Sequence, residues 1–159
     1  MGDEFEFTGG CLCGAVRYEC TEPPVSAGTC HCRECQQWTG SAYNAFVGFP
    51  TSALRFTKGK PKIFNAPSGI KELGFCSDCG SPLWDRYFVR ISEDGISGPH
   101  LVWMPIGTLD KPEAVILKFH YGVETQLSWV HFDDDLPRIR CDEEKGLQEA
   151  LELAKLKNI

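Results

Sequence analysis

The sequence has no apolar run near the roughly 20 residues that a membrane-spanning helix requires, and it has no excess of basic residues. Lysine and arginine together number 16, against 22 for aspartate and glutamate, so the formal net charge is −6. A chain with this balance lacks the phosphate-neutralising surface that non-specific binding to nucleic acid requires. The sequence therefore argues against a membrane protein and against a nucleic-acid-binding protein.

The first residues, MGDEFEFTGG, also lack the basic start and apolar stretch of a secretory signal. We therefore expect a cytoplasmic protein, with the nucleus as the alternative compartment. The chain nevertheless contains nine cysteines. In a reducing compartment an odd number of cysteines favours metal binding over a disulfide framework.

Short strands joined by turns dominate the pattern. The 159 residues fit one domain, and proline and glycine recur throughout. The segment AVRYEC alternates so that Val16, Tyr18 and Cys20 share one face, which predicts a half-buried strand. Further predicted strands are AYNAFVGF, ALRFTKG, PKIFNA, KELGF, LWDRYFV, LVWMPIG and AVILKFHY. We therefore predict a mainly β fold of antiparallel strands.

The C-terminal segment predicts a helix instead. DEEKGLQEALELAKLKNI has acids first, lysines last and apolar residues at helical spacing, namely Leu147, Ala150, Leu151 and Ala154. We expect residues 1–8 to form a tail, residues 9–140 a zinc-binding β domain and residues 141–159 a C-terminal helix. This helix would pack on the domain or on a partner chain, and a homodimer is possible.

Two cysteine pairs predict a structural zinc site. GGCLCG contains Cys11 and Cys13, and GFCSDCG contains Cys76 and Cys79. A C-x-x-C sequence followed by Gly80 is typical of a zinc knuckle, because glycine adopts the positive φ that the turn needs. Two ligands from each pair complete one four-thiolate tetrahedron, so we assign all four cysteines to one structural zinc.

A third group, TCHCREC, supplies Cys30, Cys32 and Cys35. Neither pair leaves a cysteine to complete this set, and catalytic zinc sites often have three protein ligands and one open position. Zinc with three thiolates carries a net charge near −1, which makes it a weak generator of hydroxide. A site of this kind is better suited to activating a substrate thiol for attack on a small aldehyde.

Other residues compete for roles near this group. His31 is a possible fourth ligand, but its side chain points away from its neighbours if the segment is extended, which favours a hydrogen bond or packing role. Cys20 follows the apolar phase of its strand, so we expect it to be a buried small hydrophobe. Cys141 is expected to be a spare thiol.

Several blocks of the chain resemble one family. GGCLCGAVRYEC, CHCRECQQWTGSAYN, GFCSDCGSPL, IGTLDKPE and FDDDLPR are similar, in order, to the signature blocks of the glutathione-dependent formaldehyde-activating enzyme family, which includes the centromere protein V domain. The resemblance implies a β-tent of stacked antiparallel sheets with two zinc ions. It also implies that the four paired cysteines hold the structural zinc, and that Cys30, Cys32 and Cys35 hold the second, catalytic zinc.

The function implied by the resemblance is that of a zinc-dependent carbon–sulfur lyase. Such an enzyme combines a thiol such as glutathione with a small aldehyde such as formaldehyde, giving S-(hydroxymethyl)glutathione. No motif identifies the residues that bind the thiol, although Arg33, Arg17 and Arg86 are candidates for holding its carboxylates. Two alternatives remain open at this stage: a non-enzymatic binding or adaptor module braced by both zinc ions, and a redox sensor based on the clustered thiols.

Overall fold

Eleven strands and one short α-helix account for the regular structure that a computed structural model describes at residues 7–149 and at Glu152, apart from single-turn 3-10 helices and a C-terminal helical segment. The strands are β1 (Phe7–Gly10), β2 (Arg17–Cys20), β3 (Ser26–Cys30), β4 (Asn44–Pro50), β5 (Leu54–Lys58), β6 (Lys62–Asn65), β7 (Lys71–Phe75), β8 (Pro82–Tyr87), β9 (Leu101–Pro105), β10 (Phe119–Tyr121) and β11 (Arg138–Ile139). The helix α1 spans Arg33–Thr39. The mainly β fold is therefore confirmed.

The strands form two sheets. The smaller sheet has the order β1-β2-β5, and the larger one has the order β11-β10-β3-β4-β9-β8-β7-β6. Pairing is antiparallel except at β10, which runs parallel to both β3 and β11. Parallel neighbours require a crossover connection, and both pairs have one: strands β4 to β9 lie in the chain between β3 and β10, and a loop with one 3-10 helix lies between β10 and β11.

The core lies between the two sheets. Tyr18 and Cys20 from the smaller sheet belong to one buried cluster with Val47, Phe49 and Met104 from the larger sheet. These side chains are at most 1% exposed. Alternation along each strand sends every second residue into this layer. The predicted inward face of β2 and the burial of Cys20 are both confirmed.

Most of the predicted strands are present, with differences at their ends. The segment AVILKFHY forms a strand only at Phe119–Tyr121. Strands β1, β3 and β11 and the helix α1 were not predicted. The helix was hidden because Cys32 occupies its N-cap, where the sulfur accepts a hydrogen bond from the backbone N–H of Cys35 at 3.4 Å, and cysteine is not among the usual capping residues.

The described part of the C-terminal segment is helical at residues 145–149 and at Glu152. Leu147 packs against a small cluster formed around Ile70 and Ile91. The remaining predicted helical residues, including Ala150, Leu151 and Ala154, lie outside the described residues, so the predicted domain boundaries and the homodimer stay predictions. No helix in the described ranges has the length and apolar character to span a bilayer.

Substitution Gly146→Ala tests how this helical segment is held. A Cβ at Gly146 would overlap the carbonyl oxygen of Ile91. Alanine raises helix propensity by about 1 kcal/mol, so an undocked helix would gain stability, whereas the docked helix must move away from residue 91. We expect faster proteolysis and faster amide exchange over residues 141–149. The exposed Glu149→Ala is the matched control, and unchanged exchange in Gly146→Ala would contradict the contact.

Candidate metal centres

The first cysteine group joins the two sheets. Cys11 and Cys13 lie in the turn after β1, and Cys76 and Cys79 lie in the turn between β7 and β8. Their four sulfur atoms all lie within 4.8 Å of one another. The turn at Cys76 is closed by the N–H of Gly80, which donates to the Cys76 carbonyl at 2.8 Å. The sequence therefore folds into two tight turns that aim their thiols at one point.

Glycine is required in both turns. Gly14 and Gly80 each have a φ of 76°, which lies in the left-handed region that side chains with a Cβ disfavour. The backbone N–H of Val16 donates to the Cys11 sulfur at 3.2 Å, and the Ser81 hydroxyl lies 3.2 Å from the Cys79 sulfur. Backbone and hydroxyl donors of this kind stabilise thiolates over thiols.

Electrostatics in the first group favour a bound cation. Hydrogen bonds from Ser81 lower the pKa of Cys79 to about 5. A backbone hydrogen bond from Ala15 lowers the pKa of Cys13, but its hydrogen bonds to the other thiols outweigh this effect and raise it to about 12. The group alone cannot hold four negative charges so close together. Four sulfur ligands at this spacing match the donor set of a structural zinc site.

The second group lies at the junction of β3 and α1. Cys30 ends β3, Cys32 caps the helix and Cys35 lies in its first turn, and their sulfur atoms are also within 4.8 Å of one another. Cys30 and Cys35 are buried, whereas Cys32 is partly exposed. Among the residues that the structure describes, no histidine or carboxylate joins this group. The strand-to-helix junction thus assembles three thiols, as the spacing predicted.

The three thiols share protons unequally. Hydrogen bonds from the Cys30 and Cys35 thiols lower the pKa of Cys32 to about 2. Hydrogen bonding to Cys32 and to Cys35, together with burial, raises the pKa of Cys30 well above its ordinary value. The group therefore holds one negative charge readily and resists a second. A divalent cation would remove this resistance, and three soft thiolates suit zinc.

A cavity of about 570 Å³ opens beside the second group. Cys30 and Cys35 form part of its wall, and most of the remaining wall is aromatic and aliphatic. Its aromatic members are Phe46, Tyr87, Trp103, Phe119 and Tyr121. A mostly apolar concavity with a few polar groups is typical of a small-molecule site. Cys30 and Cys35 therefore lie beside a space that can hold a small ligand.

A buried polar chain supports the segment from the other side of β3. Thr29 Oγ1 lies 3.1 Å from His31 Nε2 and 2.7 Å from His120 Nδ1. His120 Nε2 in turn lies 3.0 Å from Asp134 Oδ2. Burial lowers the pKa of His31, so the neutral ring is favoured, and its Nδ1 has no partner among the described residues. His31 thus takes the hydrogen-bonding and packing role that the extended segment favoured.

A buried ion-pair group near the trio was not predicted. Lys71 Nζ lies 2.8 Å from Glu34 Oε1 and 3.9 Å from Asp85 Oδ2. The side chains of Lys71 and Asp85 are only 3% and 6% exposed. Burial raises the pKa of Asp85 to about 6, although Lys71 opposes that shift. One signal was present in the sequence, since Lys71 shares the phase of Leu73 in its strand and was therefore due to be buried with it.

The other singled-out residues lie away from the cavity. Arg17 pairs with Asp110, Arg86 pairs with Glu72, and Arg33 donates to Gln36. None of these three arginines is part of the cavity wall. Cys141 donates from its thiol to Glu124 Oε1 at 2.6 Å and belongs to neither cysteine group.

The chain is similar to one protein family and to one curated protein. The family model described as glutathione-dependent formaldehyde-activating enzyme matches residues 6–121. A protein of Schizosaccharomyces pombe named as an uncharacterized lyase is 32% identical over 84 residues, which cover 52% of this chain and 58% of that protein. The chain therefore spans little more than half the length of this relative.

A solved structure was also found. The crystal structure of a Rhodobacter sphaeroides protein aligns with a TM-score of 0.48 and 18% identity, covering 82% of this chain and 98% of that one. The family model, by contrast, covers most of this chain and includes both cysteine groups. The chain therefore belongs to the glutathione-dependent formaldehyde-activating enzyme family.

Proposed function

We propose that this protein is a zinc-dependent carbon–sulfur lyase that combines a small thiol with a small aldehyde. The observation that carries the proposal is the group of three cysteines, two of which form part of a cavity wall. In the reaction the thiol sulfur attacks the carbonyl carbon, a sulfur–carbon bond forms, the carbonyl π bond breaks and the proton leaving sulfur reaches the carbonyl oxygen. The reverse reaction releases the aldehyde.

The second cysteine group would hold the catalytic zinc through Cys30, Cys32 and Cys35. Zinc bound there would favour the deprotonated, nucleophilic form of a substrate thiol. The protein contributes the position of the reactants, because Cys30 and Cys35 form part of the wall of a cavity that is otherwise mostly apolar. Such walls exclude bulk water and hold an aldehyde beside the sulfur, which reduces the entropic cost of bringing the two reactants together.

The first cysteine group would hold a structural zinc through Cys11, Cys13, Cys76 and Cys79. This assignment is supported by the position of the group, which links the turn after β1 to the turn between β7 and β8. A structural zinc of this kind contributes on the order of 10 kcal/mol to folding. This contribution is comparable to the whole stability of an ordinary domain, about 5–15 kcal/mol, so the loss of one ligand is expected to destabilise the fold strongly.

Elemental analysis tests the two assignments together. We expect about two zinc ions per chain. Cys32→Ser is expected to lose one zinc and keep the fold, whereas Cys79→Ser is expected to disrupt folding because it breaks the link between the sheets. Cys141→Ser, outside both groups, is the matched control and keeps both ions. One zinc per chain in the unmodified protein, or a fourth protein side chain bound at the trio, would count against the proposal.

A thiol titration of the cobalt-substituted protein tests whether the second site is open. Mercaptoethanol is expected to change the ligand-field bands of the cobalt at the trio, and Cys32→Ser is expected to abolish the change. Ethylene glycol, which has no sulfur, is the control ligand. Unchanged bands with every thiol tried would instead support a non-enzymatic module in which both ions only brace the fold.

Thr29→Val tests the buried chain that supports the trio. The substitution keeps the shape of the side chain but leaves the ring nitrogens of His31 and His120 without their shared partner. We expect a loss of about 1–3 kcal/mol in the free energy of unfolding, measured by urea unfolding of the zinc-loaded protein. Thr57→Val, at an exposed position of β5, is the control. Equal stability of Thr29→Val and the unmodified chain would refute a supporting role.

A further inference from the structure

The cavity beside the trio carries acidic and apolar groups. Asp85, Asp94 and Glu144 are part of its wall, and no lysine or arginine is among the described residues that form it. Most of the remaining wall consists of aromatic and aliphatic side chains. A ligand that carries carboxylates would therefore meet negative charge and apolar surface but no cationic partner.

Asp85 provides a polar contact point inside this cavity. It lies on β8, its side chain is 6% exposed, and its Oδ1 atom has no hydrogen-bond partner among the described residues. Its other oxygen, Oδ2, is 3.9 Å from Lys71 Nζ, which is too long for a hydrogen bond. Lys71 makes its close contact with Glu34 instead, at 2.8 Å. A buried carboxylate oxygen without a donor is costly, so a ligand that brings a donor is favoured.

Trp103 adds a complementary group. It is the register partner of Asp85 across β8 and β9, and it also forms part of the cavity wall. Its indole N–H is buried without an acceptor. Asp85 Oδ1 and Trp103 Nε1 are thus one acceptor and one donor, both buried, that lack a partner at the cavity wall. The indole N–H can donate to a neutral oxygen, such as the carbonyl oxygen of the aldehyde. The Asp85 carboxylate can then accept a hydrogen bond from a donor group of the thiol substrate.

The net charge around the cavity also favours a ligand that carries a positive charge. Glu34, Lys71 and Asp85 together have a net charge of about −1 when all three are ionised. Three thiolates with a divalent zinc ion have a net charge of about −1 as well. A substrate thiolate adds a further negative charge. An ammonium group on the same substrate would offset that charge and would also donate to Asp85 in a partly desolvated place.

We propose that the thiol substrate is a small amine-bearing thiol with an apolar body, whose ammonium group is bound by Asp85. This proposal rests on the proposed function and names its substrate class. It disfavours glutathione as the preferred thiol of this chain, because glutathione carries two carboxylates beside its single ammonium group and therefore has a net negative charge. The arginines considered for those carboxylates are engaged elsewhere, Arg17 with Asp110 and Arg86 with Glu72.

A matched set of thiols tests the substrate class by isothermal titration of the zinc-loaded protein. Para-(aminomethyl)benzyl mercaptan is expected to bind about tenfold or more tightly than para-carboxybenzyl mercaptan, and benzyl mercaptan is expected to lie between them. Glutathione is expected to bind more weakly than benzyl mercaptan. Benzylamine against benzoate repeats the comparison without a thiol, and the same pair with Cys32→Ser, which is expected to lack the second zinc, removes contact of either ligand to that metal. Benzylamine is expected to bind more tightly than benzoate.

Two variants test whether Asp85 is the residue that causes the preference for a positively charged ligand. Asp85→Asn is expected to reduce the preference for the amine over the carboxylate to about threefold or less. Glu93→Gln removes one charge from the exposed loop beside the cavity without touching its wall, and it is expected to keep the preference. Equal weakening of all three thiols in Asp85→Asn would overturn the role of this residue.

The outcomes separate the two proposals. If glutathione or the carboxylate thiol binds as tightly as the amine, the substrate class is overturned and the lyase proposal stands. If no thiol binds to the zinc-loaded protein, the lyase proposal itself is overturned. If Asp85→Asn does not fold, the substrate class is still tested on the unmodified protein. The affinities of the thiols and of benzylamine and benzoate provide that test.

Discussion

Repulsion between closely spaced sulfur atoms is the constraint on which this architecture depends. Four thiols from two distant turns lie within 4.8 Å of one another, and they form a polar connection between a three-stranded and an eight-stranded sheet. Thiolates at this spacing repel one another unless a cation neutralises them. The layer of apolar side chains between the sheets can therefore close fully only when the charge at its edge is balanced.

Thiolates of the second group would repel one another in the same way, but the environment of this group is different. Its three thiols lie at a strand-to-helix junction, with an apolar cavity on one side and the buried chain through Thr29 and His120 on the other. The first group lies between two tight turns that use left-handed glycines, and its Cys13 is exposed. The second is held by packing and hydrogen bonds, and two of its cysteines form part of a cavity wall. This contrast accords with the bracing role proposed for the first group and the chemical role proposed for the second.

The fold class and the two cysteine groups could be predicted because they depend on local spacing. C-x-C-G and C-x-x-C-G sequences determine tight turns, and the alternation at Val16, Tyr18 and Cys20 determines which face is buried. The ion-pair group of Lys71, Glu34 and Asp85 could not be predicted in the same way, because its members come together only through strand register and the position of α1. Asp134 lies in the acidic run of FDDDLPR, where nothing in the local sequence indicates a histidine partner. Its contact with His120 depends on the order of strands in the sheet, which no local pattern encodes.

The parallel placement of β10 has a consequence for the timing of assembly. The chain must extend 91 residues beyond Thr29 before His120 can reach it. Contacts between such distant residues carry a large loop-closure cost and tend to form late in folding. During synthesis, the three clustered thiols would leave the ribosome well before the strand that buttresses them. A newly made chain would thus pass through a stage in which these thiols are exposed and able to bind a metal ion. Once β10 joins the sheet, it would slow the release of that ion.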